Sequence, residues 1–336
     1  MGQPDLSTKG LTSYPDVAAD VINVFVYNGK PIVHEKDLKP YVTSESIVKT
    51  DGLLKGVNRD NCLENVRDGT RYAIFGFENQ TDIDYTMPLR IMGYDYSVYA
   101  RQVEELTAQN KMNQQNAWTH KLLEEQKIKP VITFVLFYGA KDEMPEHLLQ
   151  MMDLPKDAQI LKYVQNYHMN LICLRDLSCG QLSSFRSDFA CIAKYLNKHY
   201  NRKQLIKDLQ DKTTVLTHPK DTLYTLASLT GDKRYLVVRD KIKEGESKMC
   251  EIADELEKIG YDKGIEAGIE TGIEAGKYQT LISQTCCKLR KGYSAPEIAD
   301  MLEEDLDIIQ EICNVAASYA PDYEVEQILD TFLQLT

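Results

Sequence analysis

The run Pro130–Gly139, PVITFVLFYG, is apolar almost throughout and rich in β-branched and aromatic residues. A strand with one wet face alternates polar and apolar side chains, and this one does not. The run therefore predicts a fully buried central strand, which needs cover on both faces. Other elements supply it. DVAADVINVFVY (16–27) has helical spacing behind an Asp cap and is stopped by Gly29-Lys30-Pro31. Asn58–Val66 and Tyr72–Phe77 read as a strand pair, and 35–56 as polar loop or short strand. A helix entered through Pro88 is expected from Met87 to about Leu106, a further strand at Met169–Leu174, then helices to about Tyr200. Strands interleaved with helices imply an α/β layered domain.

Charge is divided unevenly. The chain of 336 residues carries a formal net charge of −12. Residues 246–336 hold 7 basic and 20 acidic residues, leaving 32 basic and 31 acidic in 1–245. The excess acidity belongs to the tail, so a local basic groove for a nucleic acid is permitted in the first 245 residues. The eight cysteines form no CxxC pair and no zinc-spaced cluster with histidine. Most lie in apolar runs, the habit of reduced thiols in a cytoplasmic protein. The start, MGQPDL, fails the myristoylation pattern at Leu6, and no segment has the length of a membrane-spanning helix. The six histidines are scattered without a nucleophile partner, and Trp118 sits in a polar stretch that suits a loop anchor.

The tail contains the one internal repeat, KGIEAGIETGIEAGK, with Gly264, Gly268, Gly272 and Gly276 at period four. Each interior glycine costs an isolated helix roughly 1 kcal/mol. Two readings stay open: a helix paired through its glycine and isoleucine stripes (Ile265, Ile269, Ile273), or a spacer. Beyond it three short helices are expected, TLISQTCCKLRKG, YSAPEIADMLEED and LDIIQEICNVAASY, with caps at Ser294 and Asp305. Their outline suggests a helix-turn-helix, but Ser294–Ile312 has seven acidic residues and no basic one, which argues against reading DNA.

The chemistry-bearing pattern lies in RYAIFGFENQ (71–80). A strand here projects Glu78 and Gln80 to one side at its open end. Upstream, Asp60 in VNRDNCLENV is separated from them by an Asp68-Gly69 turn signal. A two-residue turn alone sends Asp60 and Glu78 to opposite faces; an odd loop, or one bulge, puts them on the same face. Together the two carboxylates would hold one Mg²⁺, or Mn²⁺, with Gln80 orienting a water. Arg90, on the following helix, could neutralise a phosphate or form an ion pair with Asp95 or another carboxylate.

These residues carry a resemblance. RDNCL (59–63), FGFENQTDIDYTMPLRIMGYDYSVYARQ (75–102), KPVITFVLFYGA (129–140), YHMNLICL (167–174) and SSFRSDF (183–189) together resemble the Rpn family of recombination-promoting nucleases, also called YhgA-like transposases, of the PD-(D/E)xK superfamily. The resemblance implies a restriction-endonuclease-like core and Mg²⁺-dependent cleavage of DNA, tied to recombination, mobile elements or defence. It implies a metal site at Asp60 and Glu78, Gln80 in the place where the superfamily more usually has lysine, and Asp20 of the first helix as an assisting acid. The expected organisation is a nuclease-like domain at 1–200, a helical connector or support at 201–255, and an acidic helical tail at 256–336 that forms a homodimer. The competing expectation is an inactive nuclease fold acting as an interaction module through that tail.

Overall fold

In the computed structural model the described residues are 10–41, 61–113, 122–139, 144–243 and 245–335. They form a mixed α/β arrangement in two compact units, one reaching Leu256 and the other Glu257–Thr336.

The first unit is built on a five-stranded sheet in the order β1-β2-β3-β4-β5: Leu38–Pro40, Asn61–Arg67, Thr70–Gln80, Val131–Phe137 and Asn170–Cys173. β1, β2 and β3 pair antiparallel, while β3, β4 and β5 pair parallel. The unalternating run becomes β4, with a parallel neighbour on each side. Helices cover both faces. Helix α1 (Pro15–Tyr27) lays Val17, Ala18, Val21 and Ile22 against Phe75, Phe77, Phe134 and Leu136. Helix α2 (Met87–Met112) covers the opposite face, placing Ile91 and Tyr94 on Val135 and Phe137, and Val98 on Ile74 and Val131. Alternation along β3 thus sends Phe75 and Phe77 to α1, and Ile74 and Glu78 to α2.

The helices α3 (Cys179–Ser184), α4 (Phe189–Leu196), α5 (Arg202–Leu209), α6 (Pro219–Thr230) and α7 (Arg234–Lys241) also belong to this unit. Residues expected as a connector or support are tied into it. Leu226 of α6 joins the α1 core, Tyr14 stacks on His218 at 3.6 Å, and the Tyr14 hydroxyl donates to Asp221 at 2.5 Å. Asp188 accepts from the backbone N–H groups of Thr217 and His218.

Helix α8 (Met249–Leu289) is continuous through the glycine repeat, and in the second unit it is followed by α9 (Ala295–Leu302), α10 (Leu306–Ala317) and α11 (Val325–Leu335). Ile282, Cys286, Ile312, Ala316, Ile328 and Phe332 form the core here. Ser294 and Glu297 form a reciprocal capping box at α9, and Asp305 caps α10 by accepting from the Asp307 N–H. Ile269 and Ile273 are 58 % and 57 % exposed, and apart from the chain neighbours and the helix's own adjacent backbone no described heavy atom lies within 4 Å of a Cβ added at Gly264, Gly268, Gly272 or Gly276. No helix among the described residues is long and apolar enough to cross a membrane.

Candidate active site

The Asp68-Gly69 signal folds as a two-residue turn, with φ of 49° and 75° and Arg67 paired to Thr70. Positive φ at both positions matches the twist of a tight hairpin. The turn alone would set Asn61 opposite Gly76. A β-bulge intervenes: Asn65 faces Ala73 but Val66 faces Arg71, so Tyr72 is the extra residue. The register beyond it is moved by one, and Asn61 stands opposite Phe77. Asp60 precedes Asn61 and lies outside the described residues, as do Arg59, Trp118 and His120.

Glu78 is placed by β3 near the carboxyl ends of the parallel strands. Its side chain is 3 % exposed and faces α2, where Arg90 meets it with an Nη2–Oε1 separation of 2.5 Å. The Tyr94 hydroxyl donates to the same oxygen at 3.5 Å and accepts from Arg90 Nη2 at 3.1 Å. Arg90 Nη1 reaches Asp84 Oδ2 at 2.7 Å. One guanidinium therefore lies between two carboxylates, one buried and one at the helix entrance. Asp84 also accepts from the Thr86 backbone and hydroxyl at 2.8 and 2.6 Å. Burial works to raise the Asp84 carboxyl, but the bonds from Thr86 and Arg90 outweigh it and hold the pKa below its ordinary value. Burial likewise works to lower Arg90, and its bond to Asp84 with the charge of Glu78 raises it above its ordinary value instead. Arg90 is a permanent cation here.

Gln80 shares the Glu78 face and is partly buried; its Nε2 donates to the Asp82 carbonyl at 2.9 Å. The strand ends are drawn together at Gly139, where an added Cβ would lie 2.4 Å from the Phe137 ring and 2.5 Å from the Thr81 carbonyl. Only a glycine lets the two backbones approach this closely.

Asp20 does not join Glu78. It sits on α1, beneath the other face of the sheet, where its Oδ2 accepts from the Arg186 and Ser187 N–H groups and the Ser187 hydroxyl at 2.7–2.9 Å. A carboxylate so employed organises the turn into α4, and the sheet separates it from Glu78. Asp95 is not the partner of Arg90 either; it accepts from Thr133 Oγ1 at 2.5 Å and from the Tyr167 hydroxyl.

Sequence reasoning did not single out Asp84, although Asp84-x-Thr86 before Met87-Pro88 is a recognisable helix-entry turn. It also passed over a buried amide network behind the site. Thr12 Oγ1 accepts from Asn61 and Asn79 at 2.8 and 3.0 Å, and Tyr138 donates to Asn79 Oδ1 at 2.8 Å. Nothing local marks those residues, because their partners are 49 to 67 positions apart.

The donors offered by Glu78, Gln80 and Asp84 are hard oxygens, the type that suits Mg²⁺ or Mn²⁺. The guanidinium between Glu78 and Asp84 shows that the place accepts a positive charge. No group of three His, Cys, Asp or Glu able to hold a metal occurs among the described residues. Comparison with family models, curated proteins and solved structures returns no match for this chain.

Proposed function

We propose that this protein is a PD-(D/E)xK-type, divalent-metal-dependent DNA endonuclease. The observation that carries the reading is Glu78: a carboxylate 3 % exposed, held at the carboxyl end of a parallel strand beside Gln80 and matched by a cation. Buried charge is costly, and open α/β sheets bind ligands at the carboxyl ends of their strands. Glu78 with Asp60 would hold the metal, which when bound supplies a polarised phosphodiester and a more acidic water. Gln80 would orient that water through its amide; being neutral, it adds no positive charge to the developing oxyanion, so slow turnover is expected. Arg90 supplies a permanent cation for a phosphate. The near balance of charge in residues 1–245 is compatible with DNA as the partner. Incubation of supercoiled plasmid with the full chain and Mg²⁺ is expected to give nicked circles; absence of nicking, or nicking unaltered by Glu78→Ala, removes the catalytic reading.

A second reading is favoured by the same ion pair. Glu78 is already neutralised by Arg90, as in a nuclease fold retained for interaction through the tail. The exposed stripe of Tyr261, Ile265, Ile269 and Ile273 on α8 then becomes the contact with a second copy. Light scattering at micromolar concentration decides that contact, a monomer mass excluding it.

A further inference from the structure

Arg90 contributes more than a phosphate ligand. It grips two carboxylates at once, at 2.5 Å to Glu78 and 2.7 Å to Asp84, and its side chain is 35 % exposed against 3 % for Glu78. The guanidinium is the more accessible partner of the pair. We propose that Arg90 is a resident counter-cation of Glu78, which must leave that oxygen before a divalent ion can use it, and which stays tethered to Asp84 when it does. The inference rests on the metal-dependent reading above and adds a regulation to it: occupancy of Glu78 by Arg90 sets the threshold for metal uptake.

Three features support this. Oε1, the Glu78 oxygen that receives Arg90, is a hard donor of the kind a divalent cation takes, so the guanidinium and a metal bound there would compete for it. An arginine cannot vacate by losing its proton, so competition is resolved by movement alone. The side chain has a second anchor, since Asp84 is fixed by two bonds from Thr86 and keeps Nη1 when Nη2 is released. Tyr94, already within reach of both Glu78 and Arg90, can follow either partner. Release and retention together would leave a guanidinium beside the site at the moment a phosphate arrives.

Calorimetric titration of the full chain with Mn²⁺ alone, without DNA, tests this. A charge-assisted hydrogen bond that must be broken weakens uptake by about tenfold. Arg90→Gln is therefore expected to bind Mn²⁺ about tenfold more tightly than the wild type, Asp84→Asn more weakly, because the guanidinium loses the anchor that receives it on release, and Glu78→Gln not at all. A thermal melt reports which variants fold, and Arg90→Lys, keeping the charge without the fork, is expected to lie between wild type and Arg90→Gln. Wild-type affinity or weaker in the folded Arg90 variants overturns the counter-cation role and leaves the nuclease reading standing. Tighter binding by Asp84→Asn than by wild type would show that Asp84 does not hold the released guanidinium, and overturns the tethering. No Mn²⁺ uptake by wild type or any variant sinks the metal-dependent reading itself.

Discussion

The polar end of the β-sheet and the glycine-rich part of α8 are opposite solutions to chain order. At the sheet end, Glu78 and Asn79 are a buried charge and a buried amide, each held by a partner from another segment. Along 264–276 of α8 the order is local: an unbroken helix with exposed isoleucines and open space over its glycines. The first arrangement depends on tertiary contacts and fails if they fail. The second depends on helix propensity, which the glycines weaken. Function that needs a fixed constellation of side chains belongs in the first kind of region, and a surface open to a partner in the second.

Several substitutions would break or sharpen this contrast. Phe77→Ala removes a ring with 0 % exposure from between α1 and the sheet and should cost about 3–5 kcal/mol by denaturant titration; a loss below about 1 kcal/mol would mean that this core tolerates collapse. Gly139→Ala forces the Phe137 ring or the Thr81 carbonyl to shift, with an expected cost of about 1–3 kcal/mol and faster amide exchange at the ends of β3 and β4. In the second unit, Ser294→Ala opens one capping box and should cost about 1 kcal/mol. Gly268→Ala should instead stabilise α8 by up to about 1 kcal/mol, seen as slower amide exchange. If it dissociates a dimer on light scattering, the glycine face is a close-packed interface and the order of this stretch is not local.

The smallest effect concerns acid. The Asp84 carboxyl is depressed in the folded state, so its contribution to stability is present above its unfolded pKa of about 4 and lost as pH falls through the lower folded value. Asp84→Asn should flatten stability against pH below about 4 and leave the curve above it parallel to wild type. An unchanged acid limb in the variant would show that Asp84 does not report on the Arg90 clasp.

Much of the layered fold was legible in the chain. The unalternating run at β4, the helical spacing of α1 and the Pro88 entry of α2 are local patterns, and they appear where those patterns fall. Lengths were less legible: α2 runs to Met112 because its polar last turns satisfy one another and neighbouring loops, as in the Asn110–Gln126 pair. The candidate site was legible only in part. Glu78 and Gln80 share a face because strand geometry requires it, and Arg90 and Tyr94 share one because they are one helical turn apart.

Which carboxylates meet which partners was decided in three dimensions. The bulge at Tyr72 sets the β2–β3 register, and no residue type at 70–73 announces it. Asp20 and Glu78, expected at one site, lie on opposite faces of the sheet, one serving backbone N–H groups and the other a guanidinium. Periodicity is a property of neighbours along the chain, so the sequence by itself determined the elements and their buried faces. Register and ion pairing are properties of neighbours in space, and only the packed sheet could choose among the partners that composition allowed.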